Sequence, residues 1–189
     1  MLLSSTDGTS AQAIAGLLTT LFPDAKTTLD PTYGNGKFWN GVQPTYGGDR
    51  LLTRAPSLVL DYHALPFRTG AIDCVIFDPP FQPQTVPGLI GQRFTKISGG
   101  VDAVKASVQQ GLREAARVGR LGLIVKVQDY IHDHKPVWMS MWVWEALGEP
   151  YDFLTLRQAA KLRATNWGAQ RSVWRNHSTF WVYRHRSIR

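Results

Sequence analysis

The chain has 189 residues and a formal net charge of +7, is 43% hydrophobic, and carries seven Trp and one Cys. That length suits one domain with a sizeable core, and the apolar content excludes a disordered polar chain. A single cysteine excludes an intrachain disulfide framework and a zinc site built mainly of cysteines, no apolar run is long enough to span a bilayer, and Met1-Leu2-Leu3-Ser4-Ser5 lacks the basic start and apolar core of a secretory signal.

The resulting expectation is a cytoplasmic protein with no membrane partner. Thr9 or Ser10 predicts a helix cap, with Ile14, Leu17, Leu18 and Leu21 at helical spacing and Pro23 beyond the end. Thr27-Thr28-Leu29 reads as a short strand running into Asp30-Pro31-Thr32-Tyr33-Gly34-Asn35-Gly36. Two glycines just after a strand let the backbone turn tightly and approach a ligand closely, although a lone Gly-x-Gly also fits an ordinary turn. Thr45 to Asp49 predicts a second strand ending at an acid, and Leu58-Val59-Leu60-Asp61-Tyr62 repeats the pattern.

Ala71-Ile72-Asp73 leads into Cys74-Val75-Ile76-Phe77, an apolar run that reads as a buried strand. Asp78-Pro79-Pro80-Phe81 stops it, because proline lacks an amide donor and restrains the residue before it. Alone, this is equally a strand-ending acid in a proline turn. Asp30, Asp49, Asp61 and Asp78, however, each close a predicted strand. Parallel strands bring all four to one sheet edge, where open α/β sheets bind ligands. Four acids there repel one another unless they face the donors of a ligand, which favours a site.

Gln82 to Gly100 reads as a loop beside that edge. Val101 to Val118 predicts a helix with Val104, Val108, Leu112 and Ala115 on one face, and Leu121 to Val127 a buried strand. Pro136 to Leu147 predicts a helix carrying Trp138, Met141, Trp142 and Trp144 as a core or partner-facing stripe. Phe153 to Leu156 and Thr179 to Tyr183 close the sheet. No repeat or linker divides the chain, so one domain over 1–189 is expected.

From Arg157 onward there are eight Lys and Arg and no Asp or Glu, interleaved with Trp167, Trp174, Trp181 and Tyr183. Phosphate attraction combined with base stacking suits a nucleic acid, against the plainer reading of a solvated basic tail. His132-Asp133-His134 offers metal-ligand types but no clustered partner, and reads as an exposed polar loop. Lys126 and Gln128, near a strand end, either touch a substrate or simply finish a polar strand.

These landmarks resemble, in order, the class I S-adenosylmethionine-dependent methyltransferases, in particular the amino-methylating (adenine-N6 or cytosine-N4) DNA methyltransferases. Asp30 to Gly36 resembles the family's first motif, which wraps the cofactor, and Asp78-Pro79-Pro80-Phe81 its catalytic motif. The resemblance implies an α/β, Rossmann-like, seven-stranded and mostly parallel sheet with helices on both faces and an antiparallel last strand. It implies S-adenosylmethionine as cofactor and no metal.

The resemblance also implies roles. Gly34 and Gly36, in a loop with Pro31 and Tyr33, admit the cofactor's methionine portion, with Asp30 near its ammonium group. Asp49 matches the ribose-binding acid, and Asp61, beside Tyr62, the acceptor for the adenine amino group. Asp78 and the Pro79 carbonyl accept the two N–H groups of the target amine, Pro80 stiffens the turn, and Phe81 stacks on the base. Substrate contacts fall to Lys126, Lys161, Arg163, Trp167, Arg171, Arg175 and His177.

The implied reaction is methylation of adenine N6 in DNA, ahead of an RNA base (adenine N6 or guanine N2) and of cytosine N4, whose enzymes more often resemble Ser-Pro-Pro-Tyr. Protein glutamine methylation goes with Asn-Pro-Pro-Tyr. No room remains for a large target-recognition region, which points to a specificity partner or a homodimer. A reading of another class is a non-catalytic nucleic-acid-binding subunit on the same fold.

Overall fold

Side-chain alternation decides which face of each strand meets which helix. The structure, a computed structural model, describes residues 4–36, 38–39, 43–50, 57–80, 97, 99–157 and 177–185. In chain order the elements are β1 (Ser5–Asp7), α1 (Ser10–Leu21), β2 (Thr28–Asp30), β3 (Tyr46–Asp49), β4 (Leu58–Val59) and β5 (Ile72–Phe77). There follow α2 (Gly100–Val118), β6 (Gly119–Val127), β7 (Tyr130–His132), β8 (Lys135–Val137), α3 (Met139–Leu147), β9 (Asp152–Arg157) and β10 (His177–Arg184).

Eight strands form one sheet in the order β1-β9-β10-β6-β5-β2-β3-β4, while β7 and β8 pair with each other. Strands β2 to β6 run parallel, and β10 is antiparallel to both β6 and β9. The expected mostly parallel sheet with an antiparallel last strand is present, but it has eight strands instead of seven. The extra strand, β1, pairs parallel with β9 at the sheet edge, and Arg157 Nη2 donates to Asp7 Oδ2 at 2.9 Å. Three polar residues at an edge carry no hydrophobic alternation, so the sequence offers no period by which to see it.

All six residues of β5 are buried, as a central parallel strand requires. Val75 and Phe77 face a cluster containing Val104, Val108, Leu112 and Ala115 of α2 with Met139, Trp142 and Val143 of α3. Cys74 and Ile76 face the opposite cluster, with Ala13, Ile14 and Leu17 of α1. Helices therefore cover both faces. Each large aliphatic side chain so buried contributes roughly 1.5–3 kcal/mol. Thr9 caps α1 in a reciprocal pair: its Oγ1 accepts from the Gln12 amide at 3.3 Å, and Gln12 Oε1 accepts from the Thr9 amide at 2.9 Å.

The helix predicted from Pro136 begins later. Asp133 and His134 have φ of 47° and 62°, a left-handed turn that folds β8 back on β7. Pro136 is tolerated there because a two-stranded ribbon is all edge. Asp129 then accepts from the Ser140 amide (2.9 Å) and hydroxyl (3.1 Å), fixing the start of α3. Trp142 is buried, whereas Trp138, Met141 and Trp144 face outward.

From β2 the chain lays β3 and β4 on one side, then crosses to place β5 and β6 on the other. The carboxyl ends of β2 and β5 thus flank the topological switch point, where open α/β sheets form their ligand crevice. Among the described residues, no helix is long and apolar enough to cross a membrane.

Candidate active site

Asp30, ending β2, is fully buried. Its Oδ1 accepts from the Thr32 amide and hydroxyl, both at 2.8 Å, and its Oδ2 from Trp39 Nε1 at 2.6 Å. The Thr32 hydroxyl oxygen in turn accepts from the Asp78 amide at 3.0 Å. One threonine therefore ties the loop after β2 to the end of β5. Burial pushes the Asp30 carboxyl up to about 7, against the pull of the Trp39 and Thr32 donors and with a further push from the nearby Asp78 charge.

The glycine loop is strapped to β3. The Tyr33 amide donates to the Gly48 carbonyl at 2.9 Å, and the Gly34 amide to Asp49 Oδ2 at 3.1 Å. Gly34 and Gly36 are left-handed, with φ of 58° and 71°, which disfavours any side chain at either position. A Cβ on Gly36 would lie 2.7 Å from the Tyr33 hydroxyl, and one on Gly47 would lie 2.6 Å from the Tyr33 ring. The Tyr33 ring thus fills the space above Gly47, and its hydroxyl donates to Gln43 Oε1 at 2.9 Å.

Beyond β4, Asp61 Oδ1 accepts from the His63 amide at 2.9 Å and lies 2.6 Å from its ring Nδ1, while Oδ2 is 3.6 Å from Arg50 Nε. Partial burial works the other way, but the His63 donors and the Arg50 charge hold the Asp61 carboxyl below its usual range. His63 Nε2 lies 2.7 Å from Ser107 Oγ on α2, itself 2.7 Å from the Tyr62 hydroxyl. Tyr62 is buried edge-on against Phe77, with ring centroids 5.5 Å apart. It anchors this corner from within the core.

Asp78 follows β5 directly. The parallel register pairs Phe77 with Val125, so the next residues, Asp78 and Lys126, come side by side. Lys126 Nζ donates to Asp78 Oδ2 at 3.2 Å and sits 5.0 Å from the centroid of the Phe38 ring. Pro79 and Pro80 continue the chain through trans peptide bonds. His177, exposed, opens β10. Phe81, Lys161, Arg163, Trp167, Arg171 and Arg175 lie outside the described residues, as does most of the Gln82 to Gly100 loop.

Asp30, Asp49, Asp61 and Asp78 do share one sheet edge. Yet each already meets a donor of the protein itself: Thr32 and Trp39, the Gly34 amide, His63, and Lys126. Their mutual repulsion is thus answered in part from within, and the crowding of acids alone does not demand a ligand. Thr32, Trp39, His63 and Ser107 were missed from the sequence. Asp30-x-Thr32 and Asp61-x-His63 are both patterns in which an acid receives the amide two residues on, a readable turn signal. Trp39 and Ser107 carry no local signal. His132-Asp133-His134 forms the hairpin tip, and among the described residues no group of three or more potential metal ligands assembles.

No protein-family model matches the chain, and no curated protein does. Solved structures do. A Thermoplasma acidophilum protein aligns with a TM-score of 0.53 at 12% identity, covering 93% of this chain and 90% of its own. A Thermotoga maritima protein described as "SAM-dependent methyltransferase, possible histamine N-methyltransferase" aligns with a TM-score of 0.53 at 14% identity, covering 94% and 88%. At such identities the likeness is one of fold. With the parallel sheet, helices on both faces and antiparallel β10 described above, the architecture is that of a class I methyltransferase.

Proposed function

We propose that the chain is an S-adenosylmethionine-dependent methyltransferase that modifies N6 of adenine in DNA. The observation that carries this reading is the partly exposed Asp78 carboxylate at the end of β5, followed by Pro79-Pro80, at the switch point and tied through Thr32 to a glycine loop.

The residues present fit the cofactor. Gly34 and Gly36 turn the loop with left-handed backbone conformations that a side chain would strain, which keeps this backbone bare, and Asp49 and Asp61 stand as acceptors at or just beyond the ends of β3 and β4. Asp49 and Asp61 would take the ribose hydroxyls and the adenine amino group, beside Tyr62. Asp30 acts on the methionine end through the loop it shapes, together with Pro31 and Tyr33. When bound, S-adenosylmethionine supplies an electrophilic methyl group on a sulfonium.

The chain's own task is to make a poor nucleophile attack. The lone pair of an exocyclic amine is delocalised into the base. Asp78 and the Pro79 carbonyl accept its two N–H groups, which favours a pyramidal nitrogen whose lone pair is free to point away from them. When the amine is methylated, one N–H proton would leave toward Asp78, the acceptor already holding it. Orienting such a reaction is worth roughly 7–11 kcal/mol. Phe81 stacks on the base, worth about 1–3 kcal/mol. Extruding a base from a duplex costs a few kcal/mol. The basic stretch from Arg157 on, including Lys161, Arg163, Arg171 and Arg175 with Trp167 and His177, offsets that through phosphate contacts and stacking. Target choice on this reading comes from a specificity partner or a second copy, and the reaction takes place in the cytoplasm.

The test is methyl transfer from labelled S-adenosylmethionine to duplex DNA, single-stranded DNA, RNA and histamine in parallel, by wild type and Asp78→Ala. Label on N6-methyldeoxyadenosine, lost in Asp78→Ala, is the expected result. Label on RNA or on histamine would move the substrate class. No label anywhere, with nucleic acid still bound, would leave the non-catalytic subunit as the reading.

A further inference from the structure

The basic residues at a nucleic-acid site are by default phosphate contacts, and Lys126 lies at the right edge to be one. Its surroundings say otherwise. Lys126 belongs to the α1 face of β6, and its side chain is only 14% exposed. Its ammonium reaches Asp78 Oδ2 at 3.2 Å and lies 5.0 Å from the Phe38 ring centroid. Phe38 in turn packs against Phe180, whose backbone position is paired with Lys126 across β6 and β10. A phosphate clamp needs an ammonium turned to solvent on a free stem. Here the side chain is largely buried, the ammonium lies beside the Phe38 ring, and the charge is directed at one carboxylate oxygen.

The structure assigns Lys126 as the positioning residue of Asp78: it holds Oδ2 and leaves Oδ1 as the acceptor for the target amine. The role rests on the methyl-transfer reading above. Three contacts then fix the acid: Thr32 on its amide, Lys126 on Oδ2, and Pro79 on the chain behind it. Without Lys126 the carboxylate keeps its place at the end of β5 but can rotate about its side-chain torsions. Small misplacements of a reacting group cost up to about 10²-fold in rate. Nothing in this arrangement changes how the polymer is gripped.

Steady-state methyl transfer and DNA affinity across salt concentrations, in wild type, Lys126→Met and Lys126→Arg, separate the two roles. The expected result is a kcat about 10- to 100-fold lower in Lys126→Met, with KM for DNA and the salt slope unchanged and much of the rate regained in Lys126→Arg. A salt slope lower by about 0.9 with kcat intact is the signature of one lost phosphate contact and would overturn the assignment.

A readout free of activity completes the test. In protein labelled with 15N at the lysine side chains, the Lys126 ammonium should be protected from exchange in wild type and lose that protection in Asp78→Asn. An unprotected ammonium in wild type overturns the assignment even if Lys126→Met fails to fold. A wild type that methylates nothing while the ammonium is protected removes the reaction, and the role with it, but leaves the ion pair as a structural fact.

Discussion

At the end of β2, Asp30 is wholly enclosed and receives three hydrogen bonds from Thr32 and Trp39; at the end of β5, Asp78 keeps a side chain 22% exposed and faces one cation. The two acids are neighbours, joined through the Thr32 hydroxyl, and in the sequence both simply end a strand before a proline. What separates them is how much of each carboxylate the protein already uses. Asp30 has no acceptor left facing outward, so its work is to fold the loop. Asp78 has one oxygen to offer, so its work can be chemical.

The largest effect should therefore be on stability, and at Asp30. Asp30→Ala strands the Thr32 amide and the Trp39 Nε1–H in the interior, at about 1–3 kcal/mol each, and opens a small void. Urea unfolding should show a loss of roughly 3–5 kcal/mol. A loss below about 1 kcal/mol would mean the contrast between the two strand ends is not real.

The pH dependence sharpens the same point. Asp30 ionises at about 7 in the folded state against an ordinary 3.8, so the folded protein holds a proton that the unfolded chain releases. The resulting stability is fully present below pH 3.8 and is lost as pH rises to about 7. At roughly 1.4 kcal/mol for each pH unit, the change is on the order of 4 kcal/mol. The difference in unfolding free energy between wild type and Asp30→Asn should fall across that window and be flat above it. Carbon NMR of the Asp30 carboxyl gives the midpoint directly, and a value near 4 would refute the account.

Asp78→Ala should do the reverse. It leaves Thr32 and Trp39 satisfied through Asp30, so the fold persists with a melting temperature only a few degrees lower. Transfer should drop about 10²–10³-fold, the usual cost of removing one group that stabilises developing charge. A variant that unfolded as readily as Asp30→Ala would place both acids in the structural class.

Much of this was legible beforehand. Ile14, Leu17 and Val104, Val108, Leu112 are helical faces with unambiguous spacing, and Cys74 to Phe77 bounded by two prolines could hardly be anything but a buried strand. The sharing of one edge by Asp30, Asp49, Asp61 and Asp78 followed once those strands were taken as parallel. The side chains that meet those acids were less visible, because most arrive from elsewhere. Trp39 reaches Asp30 across nine residues, Ser107 reaches His63 across 44, and Lys126 reaches Asp78 across 48. Only tertiary register makes those pairs. Strand β1 and the β7–β8 hairpin were missed because they are short and carry no apolar stripe to announce them, and β1 moreover finds its partner, β9, about 150 residues away.

Asp61 falls between the two extremes and gives the smallest effect. Its Oδ1 is committed to His63, whose ring is braced by Ser107 on α2, while Oδ2 is turned toward Arg50 and the solvent. It is held like Asp30 on one side and open like Asp78 on the other. His63→Ala removes the ring contact and its brace but leaves the backbone amide in place. The fold should therefore lose little, while the carboxylate gains freedom that would have to be frozen out in the contact proposed above with the cofactor's adenine amino group. Calorimetric titration with S-adenosylmethionine should show affinity about tenfold weaker, near 1.4 kcal/mol, and Ser107→Ala a smaller shift in the same direction. Unchanged affinity in His63→Ala would mean that Asp61 is fixed by its backbone contact alone, and that α2 reports nothing to the cofactor pocket.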